Sequence, residues 1–213
     1  LFFASRRWGD GEGIFNYSRE AKAILHECVH KGEPGHPGDP MWEPSNKLIK
    51  FVPGLDFSDP SYHLPHFYEL FAEYADEEDR KLLERRCEAS RAYLHKACHP
   101  DTGLSAEYAD YDGTPHSAHQ EIFGRHDWYY SDAYRTIAKL GLDYLWFAAD
   151  PGKGKCGEAC SNSIRKQPKT TRTGFSSLTG LRWSKRPCIR WLLSPQMPRL
   201  PWLRTDNTPE TAS

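Results

Sequence analysis

Residues 62–98 read YHLPHFYELFAEYADEEDRKLLERRCEASRAYLHKAC, and their spacing decides the fold. Leu64, Phe67, Tyr68, Leu70 and Phe71 recur at three and four residues within Tyr62 to Tyr74, which places them on one face of a helix. Asp76 then occupies a capping position. A longer helix follows, with Leu82, Leu83, Cys87, Ala92, Leu94 and Cys98 at the same period. Upstream, Ser18 to His30 repeats the pattern with Ala21, Ile24, Leu25, Cys28 and Val29, and Asn16 or Ser18 can cap its first N–H groups. Downstream, a fourth helix is predicted from about Ser131 through Ile137, Leu140, Leu142 and Leu145 toward Phe147, weakened at Gly141. The predicted class is all-α.

The connections are long. Segments 31–61, 99–130 and the opening Trp8 to Tyr17 are rich in Pro, Gly, Asp and aromatic residues. Loops of that length in a compact helical protein usually build a site. Helices joined in this way suit an α/α barrel better than a short-looped bundle.

A chain of 213 residues holds one domain or a large piece of one, and it starts at Leu1 on sequence that reads as helix interior, so its beginning is expected to lie upstream. No apolar run is long enough to span a membrane, and no membrane partner is predicted. The six cysteines lack the spacing of a disulfide framework and read as reduced thiols of a cytoplasmic protein. Cys156-x-x-x-Cys160 has no second pair at zinc-like spacing, and His63-x-x-His66 has no third ligand nearby; no metal and no cofactor is predicted. The net charge of −1 hides a split: residues 1–150 carry 26 acidic and 16 basic groups, residues 151–213 carry 3 and 12. A basic tail ordinarily suggests nucleic acid. Another explanation, given below, is preferred, and no nucleic-acid partner is expected.

The chemistry centres on residues 123–135, FGRHDWYYSDAYR. Asp132 stands at a predicted helix start behind Trp128, Tyr129 and Tyr130, where free N–H groups and the helix dipole favour a carboxylate able to take a proton from water. The competing reading of Asp132-x-x-Arg135 is an ordinary i,i+3 ion pair. Trp8, Trp42, Tyr62, Phe67, Tyr108, Tyr111 and the 128–130 aromatics lie in or beside loops with Asp56, Asp59, Asp112 and Asp127. Flat aromatic faces with interspersed acids suit a sugar cleft, although such rings also simply cover helix ends. No second carboxylate in the chain stands out as a proton donor.

Three stretches resemble glycoside hydrolase family 8, and within it the exo-acting oligoxylanases that release xylose from the reducing end. They are Phe2-Phe3-Ala4-Ser5-Arg6-Arg7-Trp8-Gly9-Asp10-Gly11, Met41-Trp42 with Asn46-Lys47-Leu48-Ile49-Lys50-Phe51, and Phe57-Ser58-Asp59-Pro60-Ser61-Tyr62-His63-Leu64-Pro65-His66. The resemblance continues through Tyr111-Asp112-Gly113-Thr114-Pro115 and Tyr130-Ser131-Asp132-Ala133-Tyr134-Arg135, nearly unbroken over 1–149. It implies an incomplete (α/α)6 barrel and inverting hydrolysis of xylo-oligosaccharides. It also implies Asp132 as general base, Tyr62 as the residue holding the attacking water, and Trp8, Trp42, His66, Tyr130 and Arg135 as substrate contacts. The family's acid lies in a segment upstream of the Phe-Phe-Ala helix that this chain does not contain. Taken alone, the chain could equally be a non-catalytic sugar-binding remnant.

After Asp150 the helical pattern collapses, and none of the 11 tyrosines lies beyond that point. Joining the third base of each codon to the first two of the next, permitted codons from Arg172 through Asn207 spell a continuation similar to the family's, including a Leu-His-Pro loop. A frameshift near Asp150-Pro151-Gly152 is therefore expected, making 1–149 a partial barrel domain and 150–213 a shifted, disordered tail. The alternative is a genuine basic extension.

Overall fold

A computed structural model describes residues 1–148; the tail 150–213, with its Cys156 and Cys160, lies outside the described residues. Helices α1 (Phe2–Trp8), α2 (Tyr17–His30), α3 (Pro65–Tyr74), α4 (Glu77–Ala97), α5 (Gln120–Phe123) and α6 (Tyr134–Phe147) are joined by loops that pair only through isolated bridges such as Ser58 with Ala109. Among the described residues there is no strand ladder, so the all-α class holds.

The α2 start follows the expected capping: the Asn16 side chain accepts a bond from the Arg19 N–H at 3.1 Å. Its inward stripe is Ala21, Leu25 and Val29, while Ile24 turns outward. The helix predicted from Tyr62 is interrupted. Pro60–Tyr62 forms a 3-10 turn, and α3 begins three residues later at Pro65, whose missing N–H costs nothing at a first helical position. Asp76 does precede α4, but its side chain reaches Lys22 at 2.6 Å instead of capping. Acids in the first turn of α4 and His95 and Lys96 in its last turn match the helix dipole.

Two apolar cores organise the packing. Phe2, Ala21, Leu25, Val29, Ala72, Ala75 and Leu83 bring α1 to α4 together. Leu48, Tyr93, Leu94, Ala97, Cys98, Ala109 and Leu140 hold α6 and the long loops against the second half of α4. A buried ion pair clamps the same region: Arg91 of α4 reaches both oxygens of Asp143 on α6, at 3.1 and 2.8 Å, and also meets Glu69 of α3. The 99–119 loop is seated by Gly113, which has φ +94° and lies so close to the end of α4 that an added Cβ would fall 2.7 Å from the Lys96 backbone. This seating matters because the same loop carries a carboxyl to the site.

Candidate active site

Residues 107–109 run between two other segments. Ala109 exchanges backbone bonds with Ser58, while the N–H groups of Glu107 and Tyr108 reach the carbonyls of Trp128 and His126. This small lattice draws three distant parts of the sequence to one corner: Asp59 with Tyr62, Glu107 with Tyr108, and Asp132 with Arg135.

Asp132 lies in a 3-10 turn, Ser131–Ala133, that leads into α6. Its carboxylate is 46% exposed and pairs with Arg135 at 2.9 Å, so the ordinary i,i+3 pair anticipated from the spacing is present. The same guanidinium continues inward to Asp59 at 3.5 Å, a carboxyl almost without solvent contact, and lies 5.8 Å from the centre of the Tyr62 ring. Asp59 accepts the Ser61 N–H at 2.6 Å, the local turn that Asp-Pro-Ser favours. Burial pushes the Asp59 pKa up to about 6, against the bond from Ser61 and the charge of Arg135. Behind them lies Glu107, near enough to Ser131 and to the Asp132 backbone for both to favour its charged form. Burial pushes it up to about 7, and the charges of Asp59 and Asp132 add to the rise. Ser131 has φ 40°, a left-handed backbone costly for a residue with a side chain.

An aromatic wall flanks the acids. Tyr62 stacks on Phe51, whose ring centre is 4.2 Å from that of Tyr108, and Phe57 and Phe123 close the group. Burial raises the pKa of both Tyr62 and Tyr108, with Asp59 contributing.

The structure thus gathers Asp132, Tyr62 and Arg135, with Tyr130 immediately before the turn. The remaining expected contacts lie elsewhere. Trp42 is buried, edge-on to Tyr68 and beneath the Arg86 guanidinium, because its apolar ring completes the core between α3 and α4. His66 is fully buried beside Phe67 and Trp146. His66 presents no face to solvent, whereas Trp42 lines an apolar cavity between α2 and α3. Trp8 stands open at the end of α1. Of the aromatics preceding Asp132, Tyr129 belongs to a core with Leu104 and Ala133, and Trp128 lies under Arg125. Sequence reasoning missed Glu107 altogether: Ser105-Ala-Glu-Tyr108 has no periodicity or spacing to mark it. The loop pairing brings two further carboxyls, Asp59 and Glu107, close to Asp132.

No family model matches the chain. It is 62% identical over 151 residues to the reducing-end xylose-releasing exo-oligoxylanase Rex8A of Paenibacillus barcinonensis, covering 71% of this chain and 39% of that protein. A similarly named enzyme of Halalkalibacterium halodurans is 60% identical over 148 residues, covering 69% and 37%. The chain belongs to glycoside hydrolase family 8. Among solved family 8 structures, Rex8A of Paenibacillus barcinonensis complexed with xylose aligns with a TM-score of 0.70 at 56% identity, over 76% of this chain and 42% of that one. The chain therefore spans about two fifths of the length of its relatives.

Proposed function

We propose that this chain carries the base-bearing half of a family 8 enzyme that hydrolyses xylo-oligosaccharides with inversion, releasing xylose from the reducing end. One observation supports this most: of three clustered carboxyls, Asp132 is the one that reaches solvent, held by Arg135 beside an aromatic wall. Inversion needs a base to take a proton from water and an acid on the far side of the scissile bond, roughly 6.5–9.5 Å away. Asp132 acts as the base, Tyr62 holds the water, and Arg135 fixes the carboxylate's direction. Tyr130, Arg135 and Trp8 contact sugar. Glu107 keeps its proton up to about pH 7 and so limits negative charge behind the base. Its place beside the Asp132 backbone puts it on the base's own side, so the acid comes from another segment of the longer protein.

The helices fit part of an (α/α)6 barrel. Phe3, Ile14, Phe15 and Ile24 are exposed along α1, its following turn and α2, and an apolar cavity of about 380 Å³ lies among Phe2, Leu25, Met41, Leu64 and Phe71. Further helices suit both surfaces. The same reading makes 1–149 a partial barrel and 150–213 a frameshifted tail, which sequencing the locus would test through an uninterrupted alternative frame. No helix among the described residues is long and apolar enough to cross a membrane, and Cys28, Cys87 and Cys98 are free thiols, in keeping with a cytoplasmic location.

Two assays test the assignment. Xylotriose incubated with this chain should bind without being cut, whereas xylose release by the chain alone would contradict the missing acid. In the protein extended to its relatives' length, Asp132→Asn should lower xylose release by about 10²–10⁴-fold with binding retained; unchanged turnover would refute the base.

A further inference from the structure

A second cluster of ionisable groups lies apart from the acidic corner, where the end of α2 meets the start of α4. His26 and His30 stand one turn apart on α2, and Asp79 in the first turn of α4 is buried beneath them. One Asp79 oxygen lies 3.1 Å from His26 Nδ1 and 2.9 Å from His30 Nε2, and the potential ligand atoms of all three residues fall within 4.8 Å of one another. Zinc bonds of about 2.0–2.1 Å at tetrahedral angles set neighbouring ligand atoms roughly 3.3 Å apart, a few tenths beyond the two imidazole–carboxylate distances and inside the 4.8 Å that bounds the pair of histidines. Small side-chain rotations would therefore admit an ion.

The surroundings match. The second nitrogen of His30, Nδ1, bonds to Glu33 at 2.7 Å, the carboxylate–imidazole arrangement that orients a metal-bound histidine and raises its basicity. The loop after α2 folds back through Gly32, Gly35 and Gly38, all at positive φ, and sets His36 against both histidines, with ring centres 5.2 and 5.5 Å away. Glu78 lies 3.6 Å from His26 and Glu27 3.4 Å from His36, and with Asp79 and Glu33 they set four acids around the imidazoles. Neutral imidazoles with a carboxylate are the donor set of zinc and similar ions.

We propose that His26, His30 and Asp79 bind a divalent transition ion of the zinc type, with water or His36 in the fourth position, and that the ion ties α2 to α4. The proposal departs from the expectation of no metal, which rested on the dispersal of the ten histidines, on His63-x-x-His66 and on the tail cysteines.

The test uses the whole 213-residue chain, freed of metal by a chelator and titrated with zinc by calorimetry and with cobalt by visible absorption. Expected are one ion per chain, a tetrahedral cobalt spectrum without a sulfur charge-transfer band, and a higher melting temperature with zinc. Glu33→Gln should weaken binding by about 10- to 100-fold, and His26→Gln or His30→Gln by at least as much, with helix content unchanged by circular dichroism. His26 is partly exposed, so its replacement leaves the helix intact even if that of His30 does not. Absence of saturable binding overturns the proposal, as does zinc leaving both ellipticity and melting unchanged. So does binding that survives His26→Gln, or a sulfur band abolished by Cys156→Ser.

Discussion

Asp59 and Asp79 are almost equally hidden, at 1% and 2% exposure, yet the two corners that bury them differ in what stands opposite. Burial makes Asp59 and Glu107 hold their protons, and the single guanidinium that Asp59 shares with Asp132 offsets only part of that. Asp79 faces two imidazoles, groups that can themselves gain or give up a proton. The acidic corner therefore resists deprotonation, whereas the histidine corner can exchange a proton for a metal ion. Burial alone does not set the chemistry of a carboxylate; the supply of counter-charge does.

The largest expected effect comes from removing the shared cation. Arg135→Ala should cost about 2–3 kcal/mol at pH 8, because two carboxylates lose their partner, and clearly less at pH 5, where Asp59 and Glu107 hold protons. Urea unfolding at the two pH values measures this; an equal loss at both would erase the contrast.

Asp79→Asn in metal-free protein should have the opposite pH sense. Burial alone would lower the His30 pKa, but its bonds to Glu33 and Asp79 carry it above the usual value. Stability gained from that raised pKa is present below about pH 6.5 and lost as pH rises through the folded value. The substitution should thus cost about 1–2 kcal/mol at pH 6 and less at pH 9. A loss that grows with pH would show that the imidazoles do not compensate Asp79.

Smaller still is the effect of Glu107→Gln. In the folded chain Glu107 binds its proton up to about pH 7, so native protein holds more protons than unfolded chain between the ordinary glutamate range and that value, and stability falls as pH rises through it. Glutamine removes that fall. Relative to the unsubstituted chain it should gain about 1 kcal/mol between pH 5 and pH 8, less than an isolated shift would give because Asp59 shares the titration. Parallel stability curves for the two proteins would place Glu107 outside the coupled group. His63, buried between the hydroxyls of Ser58 and Ser90 with its pKa lowered by burial to about 3, bends both curves alike and cancels in the difference.

Helices were legible wherever apolar residues repeat over several turns, as in α2 and α4, because that period is a local property of the chain. Their starts were less so: Pro65 and the strained Ser131 moved two of them, and Asp76 spent its carboxylate on Lys22, a partner far away in sequence. Asp132, Tyr62 and Arg135 could be named from their motif. Trp42 and His66 could be named too, but not placed, since an aromatic or imidazole ring reads the same whether it lines a cleft or fills a core. Glu107 carried no local mark, whereas His26-Glu27-Cys28-Val29-His30 does show the i,i+4 spacing of a two-histidine ligand pair; what the sequence did not show is its third member, Asp79, which lies on another helix.

By itself the sequence determined the helical class, the family and the motif that carries Asp132, all of which are written in short-range spacing and residue identity. Only the tertiary structure decided which acids share Arg135, which aromatics are walls and which are core, and that two histidines face a buried aspartate. The physical reason is that charge compensation and burial depend on distances between groups, and chain folding sets those distances across dozens of residues that no local pattern links.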